Sequence, residues 1–198
     1  MTIVYWVRHG ENVANVSRTL SHRVFDGDLT AVGRSQAQAL AARLAGEGFD
    51  FGSAWVSPLR RARQTAQILT AELGLGDAEV VEALREVDVG VLDGRSDDEA
   101  WRVYETTLTR WRSGDLGARF PGGEDGQQLA DRLAGALTTI ARRDRGPALV
   151  VGHGANLRAA LPVLAGGADP GRDLGTGYAA RLAVIVGRHP LVTVLDWP

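Results

Sequence analysis

The sequence predicts an α/β fold: a three-layer αβα sandwich around a mostly parallel central sheet, with one terminal strand antiparallel and a small helical lid insertion. Three observations predict it. Short apolar runs alternate with segments of helical period along the chain. The runs Ile3–Val7 and Ala148–Val151 are continuously apolar, as strands covered on both faces are. No linker, low-complexity tract or internal repeat divides the 198 residues, so one domain over 1–198 is expected, with about 95–126 as the lid segment.

Ile3–Val7 is the first strand. Residues 30–46 form a helix, capped by Thr30, with Ala37, Leu40, Ala41 and Leu44 as its buried stripe. Ala54–Val56 is a strand, and Ser57-Pro58 opens a helix with Ser as N-cap and Pro in the first helical position; it runs to about Leu73 and stops at Gly74. Val80–Val81 is a short strand. Residues 96–112 form a helix with Trp101, Tyr104, Leu108 and Trp111 on one side, followed by a Gly-rich loop to Gly126. The stretch 126–143 is helical, Ala148–Val151 is a strand, and a helix begins near Ala155. After a loop over 166–177, strands at Ala179–Val186 and Leu191–Leu195 close the chain, joined by a hairpin turn at Gly187–Pro190.

Composition removes whole classes of function. Apolar residues make up 44%, charged residues 23%, and the net charge is −2, so neither a nucleic acid nor a membrane surface is an expected partner. No apolar run approaches a membrane span, and Ile3–Val7 is too short for an export core before Arg8 and His9; cytoplasmic residence is the expectation. There is no cysteine and no lysine, all 22 basic residues being arginine. That excludes disulfides, thiolate nucleophiles, Cys-bound metals, the Walker A loop and Schiff-base chemistry. The histidines are His9, His22, His153 and His189.

Ligands of open α/β sheets bind beyond the carboxyl ends of the strands. Arg8-His9-Gly10-Glu11 follows the first strand, Ser57-Pro58-Leu59-Arg60-Arg61 the second, and Gly152-His153-Gly154 the strand at 148–151. Arg61 falls in the first turn of its helix, where free N–H groups and the dipole already favour an anion. Arginine forks match phosphate oxygens. Two arginines and two histidines in one crevice make a phosphate site and repel a metal cation, so no metal and no cofactor is expected.

These segments resemble the histidine phosphatase superfamily, in its phosphoglycerate-mutase-like branch, over nearly the whole chain. Arg8-His9-Gly10-Glu11 is similar to the nucleophile motif, with Asn15 at its polar position. Asp28–Arg34 with Gln36-Ala37 resembles "LTxxGxxQA", and Ser57–Ala66 resembles "SPLxRAxQTA". Leu84–Gly90 resembles "LxExxxG", Pro121–Glu124 the "PGGE" segment, and Val151–Gly154 the second histidine motif. The resemblance implies that His9 takes the phosphoryl group. It implies that Arg8, Arg61 and His153 bind the phosphate oxygens, assisted by Asn15 and the N–H of Gly154. Glu86 is then proton donor to the leaving oxygen and base for the attacking water. The activity implied is metal-independent hydrolysis of a small phosphorylated metabolite through phosphohistidine. The alternatives are a phosphoglycerate mutase, usually longer and with an inserted basic segment where this chain carries Asp97, Asp98 and Glu99, or a catalytically silent phosphate-binding module. Self-association into a homodimer is left open.

Other residues have plainer readings. Glu11 is a structural carboxylate, and Arg60 and Arg63 face solvent. Asp88, and less so Asp93, compete with Glu86 as the acid. Val91-Leu92-Asp93-Gly94 departs from the family's usual Trp-Glu-Gly. His22 and Arg23 are surface loop residues that alternatively touch substrate, and His189 belongs to a turn. The stripe of Trp101, Tyr104 and Trp111 reads as core before pocket wall. Glu124 helps start the helix after it. Gly175-Thr176-Gly177 leads into a strand rather than out of one, which argues against a nucleotide loop.

Overall fold

A computed structural model of the chain describes residues 1–144, 146–167, 171–187 and 191–198. In chain order the elements are β1 (Thr2–Arg8), α1 (Val13–Val16), α2 (Ala31–Gly46), β2 (Ser53–Val56), α3 (Arg60–Glu72) and β3 (Glu79–Val80). Then come α4 (Asp98–Arg112), α5 (Gly126–Arg143), β4 (Ala148–Gly152), α6 (Gly154–Leu164), β5 (Ala179–Ile185) and β6 (Leu191–Asp196). Single 3-10 turns lie at Glu82–Leu84 and Gly90–Leu92.

Among the described residues these strands form one sheet in the order β3-β2-β4-β1-β5-β6. The pairs β1–β4, β2–β4 and β2–β3 are parallel, and β5 runs against both β1 and β6. The reversed strand therefore sits one place in from the sheet edge. Alternation along β1 explains the three layers. Val4 and Trp6 point into a core with Leu133, Leu137 and Leu157 of α5 and α6, whereas Tyr5 and Val7 meet Leu40, Leu44 and Leu69 of α2 and α3. Among the described residues, no helix is long and apolar enough to cross a membrane.

The register sets the site. Arg8 pairs with Gly152, and Val56 with Val151. The ladder continues one step further, His9 N–H to Gly152 O at 3.1 Å and Ser57 N–H to Val151 O at 2.9 Å. His9, Ser57 and His153 thus leave three adjacent strands at one level.

Several expectations need correction. The one-turn α1 has no counterpart in the periodicity; Asn12 and Asn15 build it with a reciprocal capping box. Helix α3 starts at Arg60 after Leu59, two residues later than Ser57-Pro58 suggests, and has no side-chain cap. Strand β3 lies at 79–80 rather than 80–81. Glu124 does not start α5: Asp125 caps it in a box with Gln128. The turn expected at 187–190, with His189, falls on residues 188–190, outside the described residues. Thr30 does cap α2, through the N–H of Gly33.

Gly33 has a second duty. The loop after β1 lies directly on the first turn of α2, so a Cβ on Gly33 meets the Glu11 carbonyl oxygen at 1.9 Å, and one on Gly10 meets the Gly33 carbonyl oxygen at 2.3 Å. Backbone cannot yield as a flexible side chain does. Gly33→Ala is expected to destabilise the fold by about 1–3 kcal/mol, read as a lower urea midpoint at unchanged m-value; a midpoint equal to wild type would show that the two loops do not bear on each other.

Candidate active site

His9 is 3% exposed and Arg61 2% exposed. Nδ1–H of His9 donates to the Gly10 carbonyl at 2.7 Å, and Nε2 accepts from Nε–H of Arg61 at 3.0 Å. These two partners set one tautomer, with the lone pair on Nε2. Burial pushes the His9 pKa well below the ordinary histidine value, and the charges of Arg61 and Arg8 push the same way, against the Gly10 hydrogen bond. The ring is therefore neutral beside a guanidinium.

Arg61 is held at every nitrogen. NH1 donates to Ser21 Oγ and NH2 to the Ser21 carbonyl, each at 3.0 Å, and Asp26 stands 3.6 Å from NH1. Arg8 donates from NH1 to the Leu174 carbonyl at 2.6 Å. Its chain crosses Gly154, where a Cβ would meet Arg8 Cδ at 2.8 Å. Glycine at 154 therefore makes room for the arginine.

His153 is fully buried, with its ring centroid 5.2 Å from that of His9. Burial lowers its pKa strongly, followed by the charge of Arg61. Its Nε2 lies 2.8 Å from Ser57 Oγ. Ser57 Oγ also accepts from Leu59 N–H at 3.4 Å, so its own proton is available for Nε2. That leaves Nδ1 of His153 as a donor; it is buried, unpaired and 3.9 Å from Glu86 Oε2. Sequence reasoning misses this role, because Ser57 reads as a helix cap; its position beside a strand-end histidine is the signal that could find it. Trp6 Nε1 fixes the His153 backbone through its carbonyl at 3.0 Å.

Glu86 is anchored on one side only. Oε1 accepts from the N–H of Val87 at 3.0 Å and of Asn156 at 2.9 Å, leaving Oε2 for the cleft. The Glu86 backbone is held in turn by Arg132, whose guanidinium binds the carbonyls of Ala83, Arg85 and Glu86 and pairs with Glu124. Glu124 also accepts from Asp88 N–H at 2.9 Å. The "PGGE" segment thus supports the glutamate loop, a role that cannot be read without the fold.

One cleft of about 310 Å³ is lined by Arg8, His9, Asn15, Arg61, Glu86 and Trp101, among others. Asp88 is not among its lining residues; its carboxylate accepts from Gly90 N–H and faces His22 Nε2 at 3.6 Å. Asp93 is also turned away, taking the N–H groups of His22, Arg23 and Val24. His22 is buried rather than a surface residue, and bonds the Glu86 carbonyl through Nδ1 at 2.9 Å. Arg23 is exposed and, like His22, lies off the cleft lining. Glu11 accepts from the Thr30 hydroxyl at 2.7 Å, and Arg60 and Arg63 are exposed. Trp111 belongs to the core, while Trp101 and Tyr104 line the cleft. The Gly175–Gly177 loop lies under His9, with Gly177 N–H donating to the carbonyls of Arg8 and His9. Among the described residues no three His, Asp or Glu side chains converge as metal ligands do.

The arrangement is a lone-pair nitrogen among N–H donors and two guanidiniums, with one carboxylate oxygen opposite. It suits a tetrahedral anion and its transfer to nitrogen.

Comparison with known proteins gives the same direction. A family model described as "Histidine phosphatase superfamily (branch 1)" matches residues 4–189. A Salmonella paratyphi C protein named "Probable phosphoglycerate mutase GpmB" is 34% identical over 169 residues, covering 84% of this chain and 76% of that protein. A mycobacterial glucosyl-3-phosphoglycerate phosphatase, solved with VO3, superposes with a TM-score of 0.81 at 23% identity, over 100% of this chain and 98% of its own. A putative alpha-ribazole-5'-P phosphatase from Escherichia coli is similar at a TM-score of 0.76 and 24% identity, over 98% of this chain and 96% of its own.

The buried neutral histidines carry a pH signature. Their folded pKa values lie below the unfolded one, so the unfolded chain binds more protons once the pH drops below about 6.5. Stability is then lost as pH falls, at about 1.4 kcal/mol per pH unit for each such histidine. Urea unfolding between pH 7 and pH 5 is expected to show this slope, reduced in His153→Asn; an unchanged slope in that variant would contradict the assignment of His153 as neutral.

Proposed function

The chain belongs to the histidine phosphatase superfamily, branch 1, and from that premise we propose that it is a metal-independent phosphomonoester hydrolase acting through a phosphohistidine on a small phosphorylated metabolite in the cytoplasm. The observation that carries the reading is the pair of contacts on His9. Its Nδ1 proton is tied to Gly10 O at 2.7 Å, so the lone pair is on Nε2, where it accepts from Arg61 Nε–H at 3.0 Å beside the cleft.

The phosphoryl group enters between Nε2 and the guanidinium, and Arg61 transfers its Nε–H bond from the ring to a phosphoryl oxygen. Arg8, His153 Nδ1–H, the Asn15 amide and the Gly154 N–H take the remaining charge. Nε2 forms the N–P bond as the ester P–O bond breaks, and Glu86 Oε2 passes its proton to the departing oxygen. The alcohol leaves. Glu86, now a carboxylate, takes a proton from water as that water attacks phosphorus and the P–N bond breaks, returning neutral His9 and inorganic phosphate. Positioning and fixed positive charge supply the acceleration.

A mutase reading rests on the Salmonella relative's name. It requires phosphohistidine to pass its group to a second ester in place of water. Transfer between 2- and 3-phosphoglycerate, stimulated by the bisphosphate, would establish it.

His9→Ala is expected to abolish hydrolysis of p-nitrophenyl phosphate, by at least about 1,000-fold, and wild-type activity is expected to survive EDTA. Glu86→Gln is expected to slow alkyl ester hydrolysis by about 100-fold or more while still binding vanadate. Full activity in Glu86→Gln would remove it from the acid role, and loss of activity in EDTA would remove the metal-free mechanism.

A further inference from the structure

The wall of the cleft facing the phosphate site is one face of α4. Trp101, Tyr104, Glu105, Leu108 and Arg112 line it, at the spacing of a helical stripe. Its aromatic part is rigid. Tyr104 packs edge-on to Trp101 at 5.3 Å and stacks on Phe120 at 5.8 Å, and Phe120 meets Trp111 edge-on at 5.4 Å. Phe120 is fully buried and Trp111 2% exposed, so the rings are fixed from behind.

The same wall is clasped to the nucleophile side. Trp101 Nε1–H donates to the Arg18 carbonyl at 2.7 Å, and the Arg18 guanidinium lies 5.8 Å from the indole centre. Arg18 is the one non-glycine residue with positive φ, 51°, among the described residues. Leu20 is paired with the approach to α4, its N–H on the Arg95 carbonyl and its carbonyl taking Gly94 N–H.

Charge at this end of the cleft cancels. Arg112 and Arg158 stand with Glu105 and Asp173, and Arg158 is paired to Asp173 at 2.5 Å. The cations that serve the phosphate, Arg8 and Arg61, lie at the floor. The lining also carries Val87, Val89, Ala155 and Ala159, the last two on α6, which packs against α4. A second phosphate or carboxylate there finds no net positive charge, whereas a flat apolar group finds a preformed slot.

Resting on the hydrolase reading above, we propose that the α4 face is the leaving-group site, and that it selects phosphomonoesters whose alcohol carries a flat apolar body over small polyanionic esters such as the phosphoglycerates. The aryl or apolar ring lies along Trp101 and Leu108, with the ester oxygen toward Glu86.

The test compares kcat/KM for 2-phenylethyl phosphate and 3-phosphoglycerate, both of which release an alkyl alcohol, so leaving-group acidity does not decide the result. The phenylethyl ester is expected to be preferred by about tenfold or more. Trp101→Ala is expected to shrink that preference by about tenfold without moving the vanadate inhibition constant, which reads the phosphate floor alone. Should that variant not fold, Leu108→Asn is read the same way. Equal or better use of 3-phosphoglycerate, or an unchanged preference in a folded variant, overturns the inference and leaves the hydrolase reading standing. Absence of turnover on every ester together with no vanadate inhibition overturns both.

Discussion

A guanidinium packed against an imidazole that must stay neutral is the constraint on which the structure turns. Arg61 is almost wholly buried, and Asp26, 3.6 Å away, is the one carboxylate paired with it among the described residues. Burying a cation so lightly compensated is costly. The cost is met in part by the His9 lone pair and the two Ser21 oxygens, and on the proposed reading an arriving phosphate dianion meets the rest. Burial first, and then the guanidinium charge, keep His9 unprotonated, as the proposed nucleophile must be.

Around this pair the backbone is locked in place. Gly10 N–H rests on Thr65 Oγ1, whose hydroxyl donates to the Arg61 carbonyl at 2.8 Å, so the loop after β1 and α3 are one unit. Gly10 and Gly33 meet without Cβ atoms, and Gly90 and Gly123 do so under the Glu86 loop. The Glu124–Arg132 pair then braces that loop, Arg132 taking the carbonyls of Ala83, Arg85 and Glu86. Rigid backbone at both ends sets the distance between His9 Nε2 and Glu86 Oε2, the quantity to which the proposed transfer chemistry is most sensitive.

Much of this is legible in the residues alone. Apolar runs followed by Arg-His-Gly, Ser-Pro-Leu-Arg-Arg and Gly-His-Gly place His9, Arg61 and His153 at strand ends, and the register brings those ends together. What escapes reading is long-range. Ser57 carries a good capping signal, but a capless helix start frees its hydroxyl for His153. Glu124 sits in the right place to begin a helix, yet its partner, Arg132, is two turns along that helix. Asp88 and Glu86 are equivalent by composition; only the direction of the loop separates the one that enters the cleft from the one that pairs with His22. The aromatic stripe on α4 likewise divides between Trp111 inside and Trp101 outside, which a helical period alone does not resolve.

The most direct measurement of the central claim is to mix Glu86→Gln with a phosphomonoester, quench in alkali and map the modified peptide by mass spectrometry. One phosphoryl group on His9, labile to acid, is the predicted result. A phosphoryl group on another residue, or turnover of the ester with no covalent species at any time point, would contradict it.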